Sequence, residues 1–227
     1  MRYRAVLHLV TVTVVFLVAW KIFVNSFDDL AAARSIFEVQ HFNPEIREAA
    51  TKSAPKCSLS RDCPPDHFAL HIRSGAADIV GPKICFEGKI VMSHLINNVG
   101  PGLNMVVVNG ENGVVEKHGY FNMSDENPED ILAYLKEIKP GMIILVASFD
   151  DVASKLTDEM KEIFVGMGST LITSVKPRDN WVFAGRAGTK NKSPFEKHAV
   201  NDEETNVFEG WPHMVEVGGC FPRTLNI

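Results

Sequence analysis

Phe68, Leu70 and Ile72 alternate with His67, Ala69, His71 and Arg73, the period-two pattern of a strand with one buried face, and Ser74-Gly75 ends it. Ile84 to Met92 reads as extended chain folded back at Glu87-Gly88. Gly102–Val108 and Val114–Phe121 flank Asn109-Gly110-Glu111-Asn112-Gly113, a cluster supplying the positive-φ residues that a hairpin turn needs. The period then changes. Pro128 opens a helix with Ile131, Leu132, Leu135 and Ile138 on one face and Glu129, Asp130, Lys136 and Glu137 outside, and Pro140-Gly141 stops it.

Met142 to Ala147 is a continuous apolar run of strand length, which predicts a strand buried on both faces. Thr157 is placed to cap a second helix carrying Met160, Ile163 and Phe164, with stop signals at Gly166 and Gly168. Trp181-Val182-Phe183 starts a further strand, expected to close at Gly185 and Gly188. Two convincing helices among several Gly/Asn-rich turns predict an α+β domain rather than a regular doubly wound sheet. Trp211-Pro212 is read as packing of the last segment on the core.

The N-terminus departs from this pattern. Arg2 and Arg4 precede a nearly uncharged run from Ala5 to Trp20, before Lys21. A helix over that run spans about 24 Å, short of a hydrocarbon core of about 30 Å. Residues 1–25 therefore read as a secretory signal peptide, with an uncleaved anchor that snorkels Lys21 as the competing reading. Residues 26–56 show no sustained periodicity and read as a flexible leader, so the folded domain is expected over 57–224.

The 227 residues carry 23 Lys plus Arg against 28 Asp plus Glu, a net charge of −5. Removal of residues 1–25 takes away Arg2, Arg4 and Lys21 and leaves 20 basic against 28 acidic groups, a net −8. An acidic chain without a long basic run is not built for nucleic acid. With 45% hydrophobic and 22% charged residues, it is neither a disordered chain nor a multi-span membrane protein. After signal removal no stable membrane insertion is expected.

Four cysteines, Cys57, Cys63, Cys85 and Cys220, are separated by 5, 21 and 134 residues, which fits no common zinc pattern. In a secreted chain they imply two disulfides, with three possible connectivities. Any pairing ties Cys220 to one of the first three and so joins the two ends of the domain.

No GxSxG, HExxH, P-loop or EF-hand sequence is present, and neither a metal nor a cofactor is expected. The chain is not expected to be an enzyme. The best polar constellation is Asp150-Asp151 after the buried strand, with Arg178-Asp179 before the Trp181 strand. Read alone, these are turn chemistry and a loop brace; if the two loops meet, a carboxylate and a guanidinium can hold a polyhydroxylated ligand. Asn122-Met123-Ser124 is an N-glycosylation sequon in a turn; Asn191-Lys192-Ser193 is a second, disfavoured by Pro194.

Ser74-Gly75-Ala76-Ala77, Val80-Gly81-Pro82-Lys83-Ile84-Cys85, Arg178-Asp179-x-Trp181-Val182-Phe183, Lys192-Ser193-Pro194-Phe195-Glu196, Glu209-Gly210-Trp211-Pro212 and Gly219-Cys220 together resemble one family, from about Cys57 to Pro222. It is the secreted, cytokine-like family with sequence similarity 3, founded on the interleukin-like inducer of epithelial–mesenchymal transition. The resemblance implies a compact ββα fold of two facing antiparallel sheets flanked by helices, with disulfides Cys57–Cys85 and Cys63–Cys220. It implies a signalling protein that acts through a cell-surface receptor in metabolic or epithelial regulation.

The domain type is also classed as a GG-type lectin, because a related stem domain in an O-mannose glycosyltransferase binds sugar through two arginines and an aspartate. The resemblance matches the aspartate to Asp150 and one arginine to Arg178. The other falls in a run that here reads Asn98-Val99-Gly100-Pro101-Gly102, and Pro101 cannot replace a guanidinium. Some relatives carry an extra cysteine where this chain has Ala184, so a covalent dimer is not expected and the chain reads as a monomer.

Overall fold

The computed structural model describes residues 55–223. The signal-peptide reading of residues 1–25, and the leader reading of 26–56 up to residue 54, lie outside the described residues.

Nine strands form two antiparallel sheets among the described residues. β1 (His67–Arg73), β2 (Lys83–Phe86), β3 (Lys89–Ser93) and β9 (Glu216–Pro222) make the first, in the order β3-β2-β1-β9. β4 (Gly102–Val108), β5 (Val115–Phe121), β6 (Ile143–Phe149), β7 (Asn180–Arg186) and β8 (Glu196–Ala199) make the second, in the order β5-β4-β6-β7-β8. Helices α1 (Pro128–Lys136) and α2 (Asp158–Val165) cover the outer face of this five-stranded sheet.

Alternation along the central strands explains the three layers. Val106, Val108, Ile143, Leu145, Val182 and Ala184 point to one side and pack on Phe68, Leu70, Ile72, Ile84 and Met92 of the first sheet. Met105, Val107, Ile144, Val146, Trp181 and Phe183 point to the other and pack on Ile131, Leu135, Met160 and Phe164 of the helices. The middle sheet is therefore buried on both faces, and every residue of β4, β6 and β7 is buried. That is why Met142–Ala147 carries no alternation in its sequence. The two-sheet-plus-helix arrangement is the expected α+β fold.

The helix ends follow local chemistry. The Asn127 side chain accepts a hydrogen bond from Glu129 N–H, with Pro128 at the first helical position. Thr157 Oγ1 accepts from Met160 N–H, and Gly166 caps the other end of α2. In the hairpin turn, Asn109 Oδ1 accepts from the N–H groups of Glu111 and Asn112, and Gly113 supplies the positive φ of 73°.

Three expectations change. β7 does not close at Gly185 but runs through it to Arg186. A Cβ at Gly185 would lie 2.4 Å from the Met167 carbonyl oxygen, so this glycine permits a close approach and does not end the strand. Trp211 enters neither core; Pro212 is buried while the indole is half-buried at the surface. β8 and β9 carry too little apolar alternation to be predicted: Gly218-Gly219 breaks the side-chain pattern of β9 but not the strand, and β8 is four residues long.

Both disulfides form as the resemblance implied, Cys57–Cys85 with Cα atoms 5.6 Å apart and Cys63–Cys220 with 5.4 Å. Cys85 pairs with His71 across β1–β2, and Cys220 with Ala69 across β1–β9. Ala69 and His71 share one face of β1, opposite to the side that carries Leu70 and Ile72. The bridges thus tie residues 57–63 to the outer face of the four-stranded sheet.

Candidate functional site

The opposite resource of the fold is an end where loops gather. Gly75 N–H donates to the Ser148 carbonyl at 2.8 Å, and Ser74 N–H donates to Val215 at 2.9 Å. These bonds bring the loop after β1, the end of β6 and the chain entering β9 together. Asn180 Nδ2 donates to the carbonyls of His213 (2.9 Å) and Pro212 (3.3 Å), adding the start of β7 to the same place.

Asp179 organises this end from below. It is 1% exposed and accepts hydrogen bonds from Lys176 N–H at 2.8 Å and Asn201 N–H at 2.7 Å. Its Oδ2 also lies 2.7 Å from His198 Nε2 on β8. The sequence reading as a loop brace holds for Asp179, and its partners are Lys176 in its own loop, His198 on β8 and Asn201 beyond it, not Arg178. Residue spacing gives no signal for such a brace, because Asn201 and His198 arrive by tertiary folding.

Arg178 turns the other way. Its backbone is left-handed at φ 64°, and its exposed guanidinium stands 5.0 Å from the centroid of the Trp211 ring. Asp150, directly after β6, is also left-handed at φ 56°. A non-glycine residue held there carries backbone strain, of the kind found at binding sites.

Partial burial, with the carboxylates of Asp151 and Asp78 beside it, raises the Asp150 carboxyl above its ordinary range, and Arg178 pulls it back in part. Among the described residues no hydrogen bond or ion pair joins Asp150 to Arg178, so the two loops approach without pairing these side chains. Asp78 is a member that sequence reasoning missed.

Asp151, by contrast, is turn chemistry as read: its Oδ1 accepts from Ala153 N–H at 2.8 Å and Ser154 N–H at 3.1 Å. Gly102 pairs with Phe149 in the last step of the β4–β6 ladder, so Pro101 and Asp150 are the residues at which the two strands leave the sheet at this end. The Gly100 and Gly102 carbonyls both accept from Asn104 Nδ2, which fixes the backbone on either side of Pro101.

Asn122 lies in the turn after β5, at the same end of the sheet, where Phe121 pairs with Leu103. Its Oδ1 accepts from Ser124 N–H and its Nδ2 donates to Asp125, both at 2.9 Å, while Met123 is buried beneath. At the second sequon the Ser193 hydroxyl donates to the Ala184 carbonyl and accepts from Phe195 N–H. Among the described residues no group of three or more His, Cys, Asp or Glu could hold a metal ion.

The family model described as interleukin-like EMT inducer matches residues 101–189, which run from Pro101 through Asp150 and Arg178 to the end of β7 and just beyond. Protein FAM3C of Rattus norvegicus is 42% identical over 225 residues, covering 98% of this chain and 99% of the relative. Protein FAM3C of Homo sapiens is 47% identical over 168 residues, 74% of each chain. Protein FAM3D of Mus musculus is 45% identical over 170 residues, 75% of this chain and 76% of the relative. C and D members match at similar identity. With 42% identity to a relative over nearly its whole length, the chain belongs to the interleukin-like EMT inducer family of cytokine-like, secreted signalling proteins.

Proposed function

We propose that this chain is an exported, non-enzymatic signalling protein that acts as a monomer by binding a cell-surface receptor, in metabolic or epithelial regulation. The observation that carries the reading is the pair of disulfides, with no free cysteine among the described residues. Two structural bridges in a domain of this size belong to an oxidising compartment. Likeness to protein FAM3C over nearly the whole chain supports the same class. A signal peptide over 1–25 and a glycan on Asn122 belong to this reading.

The test applies the purified, disulfide-intact protein to a panel of epithelial and hepatic cell lines. Saturable binding that is lost when the cells are shaved with trypsin, together with a dose-dependent response, is expected. Absence of saturable binding across the panel would reject it.

A second reading, carbohydrate binding by Asp150 and Arg178, is favoured by one observation: both residues are held left-handed at the same loop end. Pro101 in place of the second arginine weakens it, since only one guanidinium of the trio that the resemblance implies is present. A glycan array comparing wild type with Asp150→Ala separates the two readings. Sugar binding abolished by that substitution supports the second; no binding by either form removes it.

A further inference from the structure

The chain between β8 and β9, residues 200–215, is long for a connection inside a compact domain, and such loops are usually functional. It is also ordered by its own bonds. Asn201 N–H is held by Asp179, Asn206 Nδ2 donates to Asn201 Oδ1 at 2.8 Å, and Phe208 and Trp211 exchange two backbone hydrogen bonds across Glu209-Gly210. Gly210, at φ 73°, allows that tight turn. The loop is a built element whose shape does not wait for a ligand.

Its surface is unusual for a solvated loop. Val207 is 65% exposed, Val200 51%, Phe208 41% and Met214 38%, and none of them belongs to either core. Exposed apolar residues scattered singly need no explanation, but four on one ordered loop do. Asp202, Glu203, Glu204 and Glu209 are interleaved with them, and all are exposed. Between Lys197 and Arg223 the sequence contains no lysine or arginine, and the Arg178 guanidinium that reaches the loop lies over the Trp211 ring.

An apolar set fringed by carboxylates rejects anionic membranes and nucleic acid and complements a protein surface with an apolar pocket ringed by basic groups. We infer that the Val200–Met214 loop is the docking surface for the protein receptor, which presents lysines or arginines around an apolar pocket. The inference rests on the receptor reading above and assigns that receptor's contact. Val207 and Phe208 are the anchors; Glu203 and Glu204 steer approach and set the salt dependence. Because the loop is already ordered, little conformational entropy is lost on binding, which favours affinity from a small contact.

The test uses the same binding assay, with the secreted, disulfide-intact protein as labelled probe on trypsin-sensitive cell sites. Three forms are compared with wild type: Val207→Ser with Phe208→Ser, Glu203→Lys with Glu204→Lys, and Ile79→Ser with Leu95→Ser as a control on other exposed apolar residues. Unfolding midpoints establish that each form folds. The expected result is at least a roughly tenfold loss of affinity for the first form, as for removal of a hot spot. The second loses affinity most at low salt, whereas wild-type binding weakens as salt is raised. The control binds as wild type. Wild-type binding that both loop forms retain would overturn the docking assignment and leave the receptor reading intact. Absence of wild-type binding would overturn both. Binding that survives trypsin shaving, and is reproduced by phosphatidylserine vesicles, would replace the protein partner with a membrane.

Discussion

The outer face of the four-stranded sheet and the loop end of the sandwich solve the problem of a carboxylate near other groups in opposite ways. On the stapled face, Glu87 accepts from Ala69 N–H at 2.7 Å and pairs with Lys56 at 2.5 Å, beside the Cys57–Cys85 bridge. Desolvation works against the ionised form there, but the Lys56 and Ala69 hydrogen bonds outweigh it and hold the carboxyl below its ordinary range. At the loop end, partial burial first and then the carboxylates of Asp151 and Asp78 raise Asp150. Backbone strain occurs in both regions, at Cys57, Ser58 and Glu87 as well as at Ala77, Asp150 and Arg178. Strain alone therefore does not mark the working surface. What separates the two is that the stapled face pairs Glu87 with Lys56 and Ala69 N–H, whereas at the loop end Asp150 sits among like charges and the acidic residues of the 200–215 loop are exposed.

The largest test of that division removes a staple. Cys63→Ser with Cys220→Ser opens a loop whose ends are 157 residues apart and is expected to cost about 4–5 kcal/mol in the chain-entropy picture. Cys57→Ser with Cys85→Ser, at a separation of 28, is expected to cost about 3–4 kcal/mol. Urea unfolding under non-reducing conditions measures both, and a reversed order would mean that native packing, not loop closure, sets their worth.

Next in size is the brace. Asp179→Ala removes a buried acceptor from two backbone N–H groups and from His198, and a loss of about 3 kcal/mol is expected. A change within about 0.5 kcal/mol, as for an ordinary surface position, would place the brace among solvent-exchangeable contacts.

The smallest expected effect has the opposite sign. Asp150→Gly relieves a left-handed backbone and a like-charge contact, so a gain of roughly 1 kcal/mol at neutral pH is expected in the same unfolding assay. Stability that falls instead would show that Asp150 holds the loop rather than straining it.

The pH dependence sharpens the contrast. Glu87, with its folded pKa lowered, contributes stability above its unfolded pKa, and that contribution is lost as pH falls through the folded value. Asp150, raised in the fold, imposes a cost that is full above its folded pKa and disappears as pH falls below its unfolded value. Asp150→Asn should therefore exceed wild type at neutral pH by a margin that closes on acidification, while Glu87→Gln should flatten the acid loss. Unfolding curves between pH 3 and 7 distinguish the two, and margins that move together would refute the assigned signs.

Much of the fold was legible because local patterns and tertiary demands coincide. The apolar run before Asp150, the hairpin around Gly113 and both helix starts follow from residues within a few positions of one another. β8 and β9 were not legible, since Gly218-Gly219 earns its place only by packing against β1, where a Cβ at Gly218 would lie 2.7 Å from His71 Cδ2. Within the candidate site, residue chemistry alone made Asp150 and Arg178 turn and brace; the family likeness singled them out as a pair. Asp78 and the His198 contact to Asp179 join residues far apart in the chain, and nothing local announces them.

The account as a whole depends on a protein that leaves the cell and oxidises there. Non-reduced peptide mass spectrometry of medium from expressing cells tests this most directly. The predicted result is a soluble chain lacking residues 1–25, with Cys57 linked to Cys85 and Cys63 to Cys220. A chain found only in the cytosol with all four thiols reduced would contradict it.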